Sequence, residues 1–314
     1  MLKHYLERLH TAIVRSPLLN ASPGPLGRGG RIDLTHLDLY EDGQADKLLR
    51  RLMSGRHTVN LRPNWRFLDD DEQRETDLAK LYRQVERKLI READKIERET
   101  GNRSLWLGYP LLHVANPEDR EQSILAPVLL WPVRVALDPS RQWGLTIERD
   151  KAAEVPEFNK VMRAWIERRV GVQIGPAEDW PKQPEDWARQ FEQWMDRLKG
   201  DAVPDLAGPL DPVVEKKNVP RQQRPRIYHA AVLGVMRWQN QSLMDDLEEL
   251  LKLEHFQEEA FPSLMTGRDA THVQASLSVP EEDRHHVSPA DYSQEQAVLK
   301  SRQEPGVIVH GPPG

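Results

Sequence analysis

Cysteine is absent from this sequence of 314 residues. Its absence excludes disulfide bonds, zinc sites with cysteine ligands and a cysteine nucleophile, and a reducing cytoplasm is the simplest setting for such a chain. The sequence also lacks any apolar run of about 18 residues, so it predicts no membrane-spanning helix. Residues 1–8 are amphipathic with early charges, which is unlike a secretion signal. We therefore expect a cytoplasmic protein with no membrane partner.

An excess of positive charge is missing as well. The formal net charge is -6, charged residues make up 30% of the chain and aromatic residues only 6%. This composition is that of an ordinary soluble chain and not of a strongly basic nucleic-acid-binding protein. Proline (24 residues) and tryptophan (9 residues) are plentiful, and the prolines indicate many ends of helices and strands. The length allows about two domains of roughly 150 residues each.

Apolar residues recur at helical spacing in several segments, most clearly over residues 71–100. Asp69 or Asp70 is positioned to cap the start of this helix, and Gly101 follows its end. Its apolar stripe consists of Leu78, Leu81, Val85, Leu89, Ala93 and Ile96. Shorter helices are predicted over residues 2–15, 45–53, 157–169, 184–199 and 243–253.

Two apolar runs, residues 105–114 and 124–135, are rich in residues that favour β-strands, and residues 143–148 predict a third strand. Prolines within the first two runs exclude helices there and favour edge or bulged strands, because proline has no backbone N–H to donate. We therefore predict an α+β fold in which an antiparallel sheet around residues 104–148 is covered by the helix over residues 71–100.

Several polar or aromatic sets allow more than one interpretation. The Gly/Pro-rich loop before Gly30 is either an anion-binding loop or a flexible connector. Trp165, Trp187 and Trp194 are either core anchors or a base-stacking platform. Five cations in a Pro- and Gln-rich stretch suggest a flexible phosphate-binding segment, with a solvated linker as the alternative. These cations are Lys216, Lys217, Arg221, Arg224 and Arg226.

The last residues match the start of a phosphate-binding P-loop. Val307–Val309 predicts a short buried strand, and Gly311 fits the first glycine of the pattern G-x-x-x-x-G-K-[ST]. Pro312, Pro313 and Gly314 fill the next three positions. The sequence ends before the second glycine, the lysine and the Ser/Thr, so we expect it to be the front of a larger protein that is cut inside its nucleotide site.

Several segments in this order resemble an uncharacterised domain that precedes the first RecA-like domain of large bacterial superfamily 1 helicases. Leu125–Val133 is the strongest single match and is similar to the strand A-P-L-L-L-x-P-V of that domain. Leu105–Tyr109 is similar to its strand L-x-L-x-x-G-F, here one or two residues shorter. The other similar segments are Ser16–Asn20, Leu233–Trp238 with Asp245–Glu248, Asp291–Gln294 and Gly311–Gly314. The resemblance spans residues 6–314, except for residues 175–225.

The resemblance implies an ATP-driven helicase or translocase on DNA or RNA, with a role in phage defence or DNA maintenance. It implies that Gln294 reads the adenine edge through its amide, and that Gly311–Gly314 begins the phosphate cradle of an ATP and Mg²⁺ site in the full-length protein. Because the P-loop lysine is not in the sequence, we expect no ATP or Mg²⁺ bound to this chain and no ATP hydrolysis by it alone.

The predicted organisation is an accessory α+β domain over residues 1–253, with residues 200–225 as a linker or surface loop. A hinge over residues 254–287 follows, and residues 288–314 begin a RecA-like α/β motor domain. We expect the accessory domain to guide DNA or RNA to the remainder of the motor. The alternatives are a protein-interaction or regulatory module that recruits partner subunits, such as those of a defence system, and a structural brace on the motor.

Overall fold

A computed structural model describes residues 16, 18–68, 71–101, 103–115, 123–150, 156–174, 186–214 and 224–236. All of them belong to one of two compact units, which spans Leu9–Ser242. The predicted hinge and the predicted start of a RecA-like domain lie outside the described residues. Among the described residues, no helix is both long and apolar enough to cross a membrane.

Two long antiparallel strands form the centre of the fold. Strand β3 (Leu105–Val114) pairs with β4 (Ile124–Leu137), from Trp106 opposite Pro132 to Val114 opposite Ile124. Every residue of β3 is buried, as are the first ten residues of β4. Because both faces of this pair are covered, the strands are continuous apolar runs and do not alternate polar with apolar residues. The predicted antiparallel sheet is confirmed.

Short strands pair with the outer edges of this central pair. On one side β3 pairs with β7 (Arg226–Tyr228) and β8 (Val232–Val235), and β8 pairs with β1 (Arg31–Asp33). On the other side β4 pairs with β6 (Glu157–Phe158) and β5 (Leu145–Arg149), and β5 pairs with β2 (Thr58–Leu61). All eight strands pair in antiparallel fashion, and residue 20 adds an isolated parallel bridge to Leu125.

The prolines do not mark edge strands, so that prediction is wrong. Pro127 and Pro132 lie in the central strand β4, at points where its outer edge changes partner between residue 20, β6 and β5. The carbonyl of Pro127 accepts a hydrogen bond from the Asn159 side chain, and that of Pro132 accepts one from the N–H of Asp150. Because the N–H and C=O of a strand residue point to the same edge, each missing N–H faces this outer edge and not the long ladder with β3.

The predicted long helix is confirmed over nearly its full length. Helix α3 (Glu72–Gln84) continues through a π-helical segment (Val85–Ile90) into α4 (Arg91–Thr100). The π-helical segment contacts β4, which places the helix on the sheet. Gly101 ends the helix in the left-handed conformation, as predicted. The N-cap is Asp71 and not Asp69 or Asp70, because its carboxylate accepts the N–H of Arg74.

The remaining helices border the same sheet. A 3₁₀ helix (Leu34–Leu39) and helix α1 (Gln44–Met53) separate β1 from β2, and a four-residue helix α2 (Trp65–Leu68) follows β2. Helix α5 (Lys160–Arg169) follows β6, and helix α6 (Trp187–Leu198) comes next. Aromatic contacts hold α6 in place: Trp131 lies 5.9 Å from Trp187, and Phe158 lies 5.4 Å from Trp194, both between ring centroids.

Candidate functional site

Most of the site residues predicted from the sequence lie outside the described residues. These are the nucleotide-site residues Gln294, Gly311, Pro312, Pro313 and Gly314, and three cations of the basic segment, Lys216, Lys217 and Arg221. The structure therefore places only the last two members of that segment, Arg224 and Arg226.

Arg224 and Arg226 are exposed at the beginning of β7. The Arg226 guanidinium lies over the ring of Tyr228, with 5.2 Å between its carbon and the ring centroid. In the ladder, Arg226 pairs with His113 of the central strand β3. The basic segment therefore ends on the sheet, where a guanidinium stacked on an aromatic ring keeps its N–H groups available to an anion.

The Gly/Pro-rich loop before β1 is held by a helix side chain. Gln84 is only 2% exposed, and its amide oxygen accepts the N–H of Gly27 at 2.8 Å. Its amide nitrogen donates to the carbonyls of Arg28 at 2.7 Å and Arg31 at 3.1 Å. Gln84 thus takes the place that an anion would need at Gly27, and the loop is a fixed connection between the helix and β1.

Residues 201–214 contain no helix or strand, yet side chains from several elements bind their backbone. The Asp33 carboxylate accepts a hydrogen bond from the N–H of Val213, with 2.6 Å between oxygen and nitrogen. The Asp46 carboxylate accepts one from the N–H of Leu210, at 2.9 Å. We call residues 201–214 the crossing segment, because its partners lie on β1, α1 and the β7–β8 connection. This part of the predicted linker is firmly attached to the domain.

A buried tyrosine–histidine pair completes the attachment of the crossing segment. The Tyr109 hydroxyl lies 2.9 Å from Nδ1 of His229, and Nε2 of His229 lies 3.0 Å from the Gly208 carbonyl. Because a carbonyl only accepts, Nε2 carries the proton, and Nδ1 accepts from the tyrosine. Burial raises the pKa of Tyr109 far above its usual value. Both side chains are buried, so the pair stabilises the crossing segment and offers no accessible base.

The tryptophans that the structure describes are mostly core residues, but Trp143 is half-buried and Trp65 is exposed. Trp165, Trp187 and Trp194 are buried, which confirms their interpretation as core anchors. Trp65 is 45% exposed and is the large hydrophobic side chain at the surface of the described residues. Its ring centroid lies 5.7 Å from that of Trp143.

Exposed arginines accompany this aromatic pair. Arg62 and Arg66 flank Trp65 in sequence, and Arg141 lies in the β4–β5 connection with Trp143. We call these five residues the Trp65 patch. Sequence reasoning missed it, although a signal was present: Arg62-Pro63-Asn64-Trp65-Arg66 places a tryptophan between cations just after a strand, where no apolar periodicity explains it.

The described structure defines an α+β domain with a mostly antiparallel open sheet. Comparison with family models finds one match: residues 31–165 are similar to a family described as "Protein of unknown function (DUF4011)". No curated protein and no solved structure matches the chain. The matched range runs from β1 into α5 and leaves out β7 and β8, although β1 pairs with β8.

Proposed function

We propose that this chain is the N-terminal part of an ATP-dependent superfamily 1 helicase or translocase, and that its α+β domain contacts DNA or RNA for the motor. Support for the motor comes from the resemblance of residues 291–314 to the start of a RecA-like domain. In the full-length protein Gln294 would contact adenine, and Gly311–Gly314 would begin the cradle for ATP and Mg²⁺. A role in phage defence or DNA maintenance belongs to the same proposal.

The observation that carries nucleic-acid contact is the position of Arg226. Its guanidinium is exposed, stacked on Tyr228 and fixed on a strand that pairs with the centre of the sheet. The basic segment is therefore attached to the domain at a fixed point, which is Arg226. Phosphate contacts from such a segment release counterions and make affinity depend steeply on salt.

Fluorescence anisotropy of labelled single-stranded DNA and RNA at several salt concentrations tests this proposal. We expect binding that weakens as salt rises. Replacing the five cations Lys216, Lys217, Arg221, Arg224 and Arg226 by alanine should weaken binding and reduce the magnitude of the slope of log affinity against log salt by up to about 3.5, at roughly 0.7 for each lost contact to a single strand.

A control variant with the same loss of charge separates local contact from the effect of net charge. Five exposed cations elsewhere, Arg51, Arg56, Arg87, Lys88 and Arg98, are replaced by alanine. This variant should keep the salt slope of the unmodified chain. Absence of binding at low salt would contradict nucleic-acid contact and would favour a module that recruits partner subunits.

A further inference from the structure

The Trp65 patch is an aromatic surface that the core does not require. Trp65 is about half exposed, while every other large apolar side chain whose burial the structure describes is more deeply covered. Its ring is tilted by 36° against that of Trp143 at a centroid distance of 5.7 Å. Exposing a tryptophan leaves apolar area in water that burial would have made favourable. A flat exposed face beside a supporting ring has the shape of a stacking platform.

The platform is held rigidly from below. Trp143 has a backbone φ of 57°, a left-handed conformation that is unfavourable for a bulky residue. Its carbonyl accepts a 2.7 Å hydrogen bond from the hydroxyl of the buried Tyr40. The next residue, Gly144, has no room for a side chain, because a Cβ there would lie 2.8 Å from that of Asp138. The loop therefore fixes Trp143 behind Trp65.

Pairing between β2 and β5 brings the arginines to the same end of the sheet. Leu61 pairs with Leu145. Arg62, which follows Leu61, therefore lies near Gly144, which precedes Leu145. The hydrogen bonds from Ser140 lower the pKa of Asp138, and the positive charges of Arg141 and Arg62 lower it further. Arg66 belongs to the same helix as Trp65.

Among the side chains that the structure describes here, positive charge exceeds negative charge. Asp138 already accepts hydrogen bonds from the N–H and hydroxyl of Ser140, and Asp71 caps α3. In the described part of the chain, Arg62, Arg66 and Arg141 form no ion pair within 4.0 Å. Although the net charge of the chain is -6, these three arginines form a locally positive surface that attracts a polyanion.

We propose that the Trp65 patch binds single-stranded nucleic acid, with one base stacked on Trp65 and neighbouring phosphates paired with Arg62, Arg66 and Arg141. This inference rests on the proposed function and assigns that function a second site, separate from the basic segment. A single strand is required because base pairing and stacking in a duplex hide the faces of its bases.

The test is anisotropy of the full chain with a labelled 12-nucleotide single strand, as DNA and as RNA, and with a hairpin duplex. Trp65→Ala should weaken single-strand binding by about 5- to 100-fold, the range expected for loss of one stacked base. Trp65→Phe keeps an aromatic face and should recover most of the affinity, while Trp65→Leu, which is apolar but has no flat face, should not. Duplex binding should change by less than about twofold. The thermal unfolding midpoint shows whether each variant remains folded.

Strands with abasic sites separate stacking from phosphate contact. On an abasic strand, Trp65→Ala should bind as tightly as the unmodified chain, since no base remains to stack. The variant with Arg62, Arg66 and Arg141 replaced by alanine should lose about 2 from the salt slope on either strand, at roughly 0.7 per contact. A variant with three lysines at these positions should keep the slope, and so should the control with Arg87, Lys88 and Arg98 replaced by alanine.

Two kinds of failure are distinguishable. If the five-cation variant of residues 216–226 binds weakly but Trp65→Ala binds like the unmodified chain, the Trp65 site is wrong while the proposed function stands. Equal losses on single strand, duplex and abasic strand would also overturn the stacking site. If the unmodified chain binds no strand at low salt, nucleic-acid contact fails as a whole, and the Trp65 site fails with it.

Discussion

At the scale of single residues, two buried amides hold the irregular parts of the fold. Gln84 fixes the loop before β1. Asn159 caps α5 by accepting the N–H of Met162, while its amide nitrogen donates to the carbonyls of Leu18 and Pro127. Each amide accepts one hydrogen bond and donates more than one at the same time, whereas a carboxylate donates none and a hydroxyl has a single proton to donate. Gln84 therefore connects segments that share no ladder, and Asn159 ties residue 18 to β4 next to the ladder between β4 and β6.

Replacing Gln84 by alanine should lower the free energy of unfolding by about 2–4 kcal/mol. The substitution leaves the N–H of Gly27 and the carbonyls of Arg28 and Arg31 without their partner in a part-buried site, and unsatisfied polar groups are costly. Urea denaturation followed by circular dichroism measures the change. Gln73→Ala, on the exposed start of the same helix, should cost less than about 0.5 kcal/mol. Equal losses for the two variants would contradict the role of Gln84 in holding the loop.

Gly108 marks a point where two strands leave no space for a methyl group. A Cβ on this residue of β3 would lie 2.5 Å from Cβ of Pro127 on β4, and a proline ring in a central strand cannot move aside. Gly108→Ala should therefore destabilise the fold by about 1–3 kcal/mol, the usual range for overpacking. Gly208→Ala is the matched control, because nothing lies closer than 3.7 Å to a Cβ there. Similar unfolding midpoints for the two alanine variants would contradict so close an approach of β3 and β4.

At the scale of elements, the crossing segment keeps its place through side chains of other elements and not through structure of its own. Leu210 and Val213 are buried. The N–H of Leu210 donates a hydrogen bond to Asp46, and the N–H of Val213 donates one to Asp33. Composition alone predicts a linker here, because proline, glycine and aspartate are frequent. The side chains that fix the segment, those of Asp33 and Asp46, lie far from it in the sequence.

Asp46→Ala should loosen the crossing segment while the central strands stay protected. Loss of the carboxylate removes the acceptor for Leu210 N–H, so amide exchange of peptides from residues 201–214 should accelerate about tenfold or more. Hydrogen exchange with mass spectrometry measures this, with peptides from β3 and β4 as an internal reference. Asp46→Asn retains an acceptor oxygen and should leave exchange nearly unchanged, which separates the hydrogen bond from the charge at the start of α1. Acceleration that is the same in both variants would assign the effect to charge.

The elements that the sequence predicts are those with enough residues to show a period. The helix over residues 71–100 and the runs that form β3 and β4 are long, and their apolar patterns are clear. Strands β1, β6 and β7 have three residues or fewer, so no alternation develops, and only their ladder partners make them strands. The Trp65 patch was missed for a related reason, since its residues come from the segment that leads from β2 into α2 and from the β4–β5 connection, which the pairing of β2 with β5 brings together.

At the scale of the whole molecule, the range of the family match and the folded unit differ. Residues 31–165 contain β1 through β6, but the sheet order places β8 between β1 and β3. Without β7 and β8 one edge of β3 has no partner, and β1 loses its ladder. Helix α6, which covers Trp131 and Phe158, is also outside the match. A segment defined by sequence similarity is therefore smaller than the segment that forms the core.

We expect a fragment of residues 9–242 to fold and a fragment of residues 31–165 to fail. The first contains every ladder partner of β3 and β4, so it should unfold in urea as one cooperative transition. The second exposes the fully apolar strand β3 along an open edge, which favours aggregation over folding. Circular dichroism during urea titration, together with light scattering, compares the two. A cooperative transition of the shorter fragment at the same urea midpoint would contradict this expectation, because β7, β8 and α6 would then be additions to a core that is already complete without them.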